Sequence, residues 1–267
     1  MNHFFRVIWS DALQSMVVVA EIVASGARKG QGRRQSRSAR LRAGAALLAL
    51  ATSAAANAEP PASGLPQGAE LVAGQAAVEH VGPAALQISQ GSDRAILNWQ
   101  SFDVGRNARV QFLQPSSASV ALNRVVGSNP SQIFGRIDAN GQVFLTNQRG
   151  VYFAPSAQVD VAGLVGTTLA VDVEAFLAGR AAFVHEGSNA SVVNEGVLNA
   201  RDGGYVALLG TEVLNQGLIT AQKGTIALAS GGMVTLEFTE NGALVSLQAD
   251  PAQIDTLVAN GHRCCTP

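Results

Sequence analysis

The sequence predicts an all-β chain wound into a right-handed parallel β-helix, a solenoid closed by an N-terminal cap. Three observations carry the prediction. Part of the chain repeats with a period near 20, its apolar runs are short and rich in Val, Leu, Ile and Phe, and its 28 glycines accompany only 14% charged and 5% aromatic residues. The repeat aligns Asn194, Glu195, Gly196, Val197, Leu198, Asn199 and Ala200 with Asn215, Gln216, Gly217, Leu218, Ile219, Thr220 and Ala221, 21 residues on. A period of that size built from strands and turns marks a solenoid, since one turn must pass three short strands and their corners. Gly196 and Gly217 permit corner geometry, while Asn194 and Asn215 tolerate left-handed dihedrals and can stack amide on amide along the coils. Two units also leave open a β-sandwich with accidental internal similarity.

The composition fits the solenoid and excludes other classes. With 47% hydrophobic residues in 267, the chain buries a sizeable core and is not intrinsically disordered. Small and branched apolar side chains suit a narrow solenoid core better than large aromatics. The net charge of -1 is the sum of a leader (residues 1–58) at +6 and a body (residues 59–267) at -7. That acidic body is the wrong sign for a nucleic-acid partner.

Taken in chain order, the first element is the leader. Arg28, Lys29, Arg33, Arg34, Arg37, Arg40 and Arg42 precede an apolar run over 43–56, and Ala56, Asn57, Ala58 supply an A-x-A cleavage site, with cleavage expected after Ala58. The run is shorter than the about 20 residues a spanning helix needs, so it reads as a removable signal for the general inner-membrane secretion machinery. Gln35 and Ser36 follow the arginine pair where a twin-arginine signal wants an apolar residue. Ahead of this signal lies an amphipathic preamble, with Asn2, Phe5, Arg6, Val7, Ile8, Trp9, Leu13, Val17, Val19 and Glu21 at fixed spacing. It resembles the extended signal peptide region of Gram-negative type V secretion.

Residues 59–70, rich in Pro and Gly, read as an extended lead-in. Beyond them the runs 110–113, 143–145, 151–153, 159–161, 192–193, 205–209, 225–229 and 234–238 predict strands, and helical periodicity appears only over Val173–Leu177. At about 21 residues per coil, residues 80–250 predict about eight coils in a stack roughly 40 Å tall, whose open ends must be capped or continued.

The middle of the chain carries a family resemblance. The block Ile96, Leu97, Asn98, Trp99, Gln100, Ser101, Phe102, Asp103, Val104, Gly105 is followed in order by Val110-Gln111-Phe112, Ala121-Leu122-Asn123-Arg124-Val125, Gly127 to Gly135, Gly141 to Leu145 and Gly150 to Pro155. These blocks resemble the filamentous haemagglutinin N-terminal domain, the secretion (TPS) domain of two-partner secretion. The resemblance places that domain over 71–185; the repeat adds further coils over 186–250, and an irregular tail is expected over 251–267. It implies an exoprotein of a Gram-negative cell that passes through the periplasm, is recognised by a cognate outer-membrane β-barrel transporter, and folds as a β-helix at the cell surface or in the medium. Trp99, Phe102, Asn123, Asn129, Pro130, Asn147 and Gly150 are the implied recognition or structural residues. One block departs from the pattern: Asn147, Gln148, Arg149, Gly150 stand where the family reads Asn-Pro-Asn-Gly. The missing Pro removes a residue that pre-sets the turn.

Covalent chemistry finds little support in the residues. His3, His80, His185 and His262 are scattered, and no metal-ligand, cofactor-binding or phosphate-loop motif is present. His185 beside Glu186 reads as a corner or surface pair, because neighbours on a strand face opposite ways. Asp202-Gly203-Gly204 is one fragment of a calcium repeat that works only in series. Trp99 reads as a core or cap residue before a sugar platform. Asp138, Asp160, Asp172, Glu174, Asp202 and Glu212 form no catalytic constellation, so the expectation is no enzyme, cofactor or metal. Two alternatives are a stand-alone adhesin binding host glycan or cell surface, and a β-helix polysaccharide-degrading enzyme. Adjacent Cys264 and Cys265 are too close to pair without strain, and the tail that holds them reads as the end of a truncated product.

Overall fold

A strand with an apolar residue at every second position cannot bury that face alone, and these strands do so by stacking into a parallel β-helix. The computed structural model describes residues 59–239 and 241–250, with the backbone of Phe5–Ser10, Ser15–Ala20 and Leu257–Asn260. The first face stacks Ala85–Gln90, Arg109–Leu113, Arg136–Ala139, 158–161, 197–200 and Leu218–Ala221 in parallel register. The second stacks Arg94–Trp99, Val120–Val125, Gln142–Thr146, 163–167, 205–210 and Thr225–Ser230. The strands Gln158–Thr167 and Val197–Gly210 turn from the first face onto the second at an irregularity, between Val161 and Gly163 in one and between Ala200 and Tyr205 in the other. A shorter third face holds Ser131–Ile133, Val151–Phe153, Ser191–Asn194, Glu212–Asn215 and Leu257–Asn260.

Each long face has six rungs among the described residues, not eight. Successive rungs of the first face begin 24, 27, 22, 39 and 21 residues apart. Only the last interval equals the repeat seen in the sequence; the long one contains an excursion out of the stack. That excursion and a later one supply Ala170–Val171, Ala181–Val184, Met233–Phe238 and Leu244–Asp250, which form a separate antiparallel sheet. The short helix Val173–Leu177 lies within the first excursion. Asp172 caps it, its Oδ1 accepting from the Ala175 N–H at 2.9 Å.

Further strands lie against the start of both long faces and against the far end of the second. At the start, Glu70–Ala73 runs antiparallel on Arg94–Trp99 and Ala76–Gly82 antiparallel on Ala85–Gln90, forming the cap. At the far end Ser15–Ala20, paired antiparallel with Phe5–Ser10, runs parallel along Thr225–Ser230. Among the described residues no helix is long and apolar enough to cross a membrane.

The extra sheet creates a second core. Inside the coils, Trp99, Phe102, Phe112 and Phe153 are buried among Leu, Val and Ile, so the narrow core admits large rings that composition argued against. Outside the second face, Ile96, Leu122, Phe144, Val165 and Tyr205 are sealed under Phe176, Phe183, Val234 and Leu236. The second face is therefore buried on both sides, which is why Gln142–Thr146 is buried at every position.

Candidate functional site

The residues singled out from sequence divide between the coil core and a corner of the stack. Trp99 and Phe102, each 1% exposed, meet edge to face with ring centroids 5.3 Å apart. Asn123, wholly buried, accepts the Trp99 indole N–H at 3.0 Å and donates to the carbonyls of Ala121 and Phe144 at 3.2 and 3.3 Å. The cluster thereby satisfies the indole of Trp99 and the amide of Asn123 from within. It cannot touch a partner, or a sugar, while the chain is folded.

Asn129, Pro130, Asn147 and Gly150 lie instead at the corner between the second and third faces. Asn147 organises it: its side-chain amide donates to the Asn129 carbonyl and the Ser131 hydroxyl, both at 3.0 Å, and its Oδ1 accepts the Arg149 N–H at 2.9 Å. The Gly150 N–H closes the turn on the Asn147 carbonyl at 3.0 Å, with Gly150 at a φ of 126° that only glycine adopts without strain. The turn therefore forms without its proline. Gln148 occupies that position; its carbonyl accepts the Ser188 hydroxyl at 2.6 Å and its Nε2 donates to Glu186 at 3.0 Å.

Beside this turn opens a cleft of about 300 Å³, walled by Arg124, Val126, Gln148, Arg149, Val171 and Glu186. Arg124 and Arg149 make no ion pair or side-chain hydrogen bond among the described residues. Both arginines fall in family blocks, but neither was among the recognition residues expected from sequence. Coil stacking, which sets Arg124 in register with Thr146 one rung on, brings the two segments together.

The repeat residues form a ladder on the third face. Asn194 donates from Nδ2 to Oδ1 of Asn215 at 2.7 Å, and its own Oδ1 accepts the Gly196 N–H at 3.1 Å. The dihedral reasoning for these corners is corrected: Lys223 is the one non-glycine residue with positive φ among those described, and Gly196 and Gly217 do not have it either. Glycine is needed there because of close approach. A Cβ on Gly217 would lie 2.2 Å from the Gly196 carbonyl oxygen, and one on Gly196 2.6 Å from that of Ala154.

The remaining chemical candidates are accounted for as structure. Asp138 and Asp160 stack in register on the first face, but Asp138 is gripped by Arg109 and Arg136 at 2.7 Å each and Asp160 lies 4.0 Å from Arg136. Asp202 sits 3.6 Å from Lys223 on the surface. His185 contacts the Ser188 carbonyl through Nε2 at 2.7 Å rather than Glu186. Among the described residues no group of three or more His, Cys, Asp or Glu is placed to hold a metal. Burial raises the Asp103 carboxyl above its usual range, opposed by the Gln132 N–H it accepts at 2.8 Å. Burial, then a hydrogen bond to Glu195, pushes the Tyr152 hydroxyl up to about 12. Full burial holds the Tyr205 hydroxyl well above its usual value while it donates to Gln142 Oε1 at 2.6 Å. Ala56, Ala58, Cys264 and Cys265 lie outside the described residues, as does the side-chain structure of the tail beyond residue 250.

Comparison with known proteins agrees with this architecture. The TPS secretion domain family matches residues 62–261, and the Extended Signal Peptide of Type V secretion system matches residues 1–52. A heme/hemopexin-binding protein of Haemophilus influenzae strain Rd is 36% identical over 198 residues, covering 71% of this chain and 22% of that protein. A second Haemophilus influenzae heme/hemopexin-binding protein is 44% identical over 123 residues, covering 46% of this chain and 13% of its own. The chain thus spans about a fifth of the first of these relatives. The crystal structure of the HMW1 secretion domain from Haemophilus influenzae superposes with a TM-score of 0.67 at 31% identity, covering 73% of this chain and 52% of that one.

Proposed function

Because the chain belongs to the TPS secretion domain family, we propose that its β-helix is the part of a two-partner exoprotein that a cognate outer-membrane transporter recognises and that starts folding outside the cell. The chain is a secreted exoprotein of a Gram-negative two-partner system, led into the periplasm by an extended signal peptide. TPS domains are recognised by outer-membrane TpsB transporters. The observation that carries the reading is the pairing of an export leader with a stack whose cap, Glu70–Ala73 and Ala76–Gly82, precedes all its rungs in the chain. A chain emerging N-terminus first completes its cap first, and each rung then finds its template already in place. Rung-by-rung addition of this kind favours outward movement without a nucleotide, since a folded rung does not slide back through a barrel.

The reading assigns the chain no catalysis. Asp138 and Asp160 are neutralised by arginines, and an acid and base on one coil face would need unpaired carboxylates at suitable separation. It takes no haem or hemopexin binding from the relatives named for it, of which the match covers about a fifth. The test is export with and without the transporter. Expressed beside it, the chain reaches the medium or cell surface; with the transporter deleted, it stays in the periplasm. Equal export in both strains would overturn the proposal.

A further inference from the structure

We propose that Asn241 is a site of spontaneous covalent modification, where the side-chain amide is lost through a cyclic imide to give aspartate and isoaspartate, and that the isoaspartate loosens the antiparallel sheet outside the second face. The reaction requires the main-chain nitrogen of the next residue to reach the Asn side-chain carbonyl carbon. Glycine, with no Cβ, permits that approach best. The sequence has three Asn-Gly dipeptides, beginning at Asn140, Asn241 and Asn260, and the side chains of the third lie outside the described residues. The fold separates the first two.

Asn140 is clamped. Its Oδ1 accepts the Gln114 N–H at 2.8 Å, and its Nδ2 donates to the Gln114 carbonyl at 2.7 Å. The nitrogen that would attack is held as well: Gly141 is buried, and its N–H donates to Gln114 Oε1 at 3.1 Å. Asn241 is exposed in the loop joining Met233–Phe238 to Leu244–Asp250, and its side chain makes no hydrogen bond among the described residues. Its attacking nitrogen is restrained by the bond from the Gly242 N–H to the Thr239 carbonyl, at 2.9 Å. Opening that exposed turn frees Asn241, whereas freeing Asn140 breaks three bonds within the stack.

The step balances. The Gly242 nitrogen bonds to the Asn241 side-chain carbonyl carbon and gives up its proton, and the amide leaves as ammonia. Water adding at the side-chain carbonyl of the ring yields aspartate. Water adding at the main-chain carbonyl yields isoaspartate, whose backbone runs through the side chain and is one methylene longer. That methylene matters because the Gly242 carbonyl accepts Gln142 Nε2 at 2.9 Å, and a Cβ on Gly242 would collide with the same nitrogen, so the loop sits tightly on the coils. Once Gly242 is displaced, Gln142, 3% exposed, keeps the Tyr205 hydroxyl on its Oε1 at 2.6 Å but holds a buried Nε2 without an acceptor.

The whole chain is purified, incubated warm at mildly alkaline pH and sampled over days for peptide mapping by mass spectrometry, with electron-transfer fragmentation to tell isoaspartate from aspartate. Asn241 is expected to convert at least about tenfold faster than Asn140 in the folded chain, and at a similar rate once both are unfolded in urea. The urea midpoint of the folded protein is expected to fall as isoaspartate accumulates. Asn241→Gln, whose longer side chain closes its ring far more slowly, is expected to keep its midpoint. Conversion of Asn140 as fast as Asn241 in the folded chain, or none at Asn241, would overturn the site. An equal fall in Asn241→Gln, or isoaspartate accumulating at Asn241 with no fall, would overturn the coupling to the sheet.

Discussion

Replacing Asn123 with alanine strands the Trp99 indole N–H in an interior that holds no other acceptor for it among the hydrogen bonds of the described residues. Three hydrogen bonds go, two of them to carbonyls that keep their strand partners, so the dominant loss is the stranded indole donor. A buried unsatisfied donor costs about 1–3 kcal/mol, and the small void left by the amide adds to it, for a total of about 2–4 kcal/mol. For a domain of this size that lowers the melting temperature by roughly 4–15 °C. The assay is urea unfolding of wild type, Asn123→Ala, Trp99→Phe and the double variant. Trp99→Phe removes the donor, so Asn123→Ala must cost less in that background, by about 1–2 kcal/mol of coupling. A coupling below about 0.5 kcal/mol would show that the bond does not organise this end of the core, and the reasoning would fail.

Other substitutions separate crowding, backbone strain and charge. Gly217→Ala forces a Cβ to 2.2 Å from the Gly196 carbonyl oxygen and is expected to cost about 2 kcal/mol or more, whereas Gly203→Ala, with φ of 77° and open space, costs about 1 kcal/mol; urea midpoints in the reverse order would refute the account of the ladder. Asp138→Asn, between two exposed arginines, is expected to change stability by less than about 1 kcal/mol, with the effect shrinking as salt is added to the melt. The chain has two tyrosines, and both resist ionisation in the fold. Ultraviolet titration of the native protein is expected to show little tyrosinate at pH values where urea-unfolded protein has ionised. The sign follows: a hydroxyl raised in the fold contributes stability fully present below the unfolded value near 10, and loses it as pH climbs through the folded value, about 12 for Tyr152. Melting temperatures constant from pH 9 upward through that window, taken as about 10 to 12, would contradict it.

How much of this was readable in advance depends on whether the signal is local. Val151–Phe153 and Val173–Leu177 appear where the sequence predicts them, because each is an apolar run or helical stripe bounded by its own turn or cap residues. The cap strands Glu70–Ala73 and Ala76–Gly82 went unpredicted because their side chains are mostly exposed and show no apolar alternation. The number of rungs was overestimated because residues such as Val234–Leu236 carry the same β pattern as a coil but belong to the extra sheet. In the site, the Asn147 turn was legible from its Asn and Gly. The cleft was not: Arg124 and Arg149 sit on separate coils, and a periodic sequence does not announce which unpaired side chains its corners will align.

The sheet that roofs the second face also sets a clock. Gln142 donates through Nε2 to the Gly242 carbonyl at 2.9 Å, a hundred residues further on, and Phe144 and Tyr205 each lie against Phe238, with ring centroids 6.2 and 5.2 Å apart. In a chain that appears N-terminus first, Phe144 therefore meets Phe176 and Phe183 first and gains its last aromatic neighbour, Phe238, well after its own rung is laid down. The outer side of the second face lacks its full apolar cover until that late segment arrives, while the coil interior is already closed. Only then does the stack stop behaving as separable neighbours and become one cooperative body. The sheet thus couples rungs laid down early to a segment a hundred residues further along the chain.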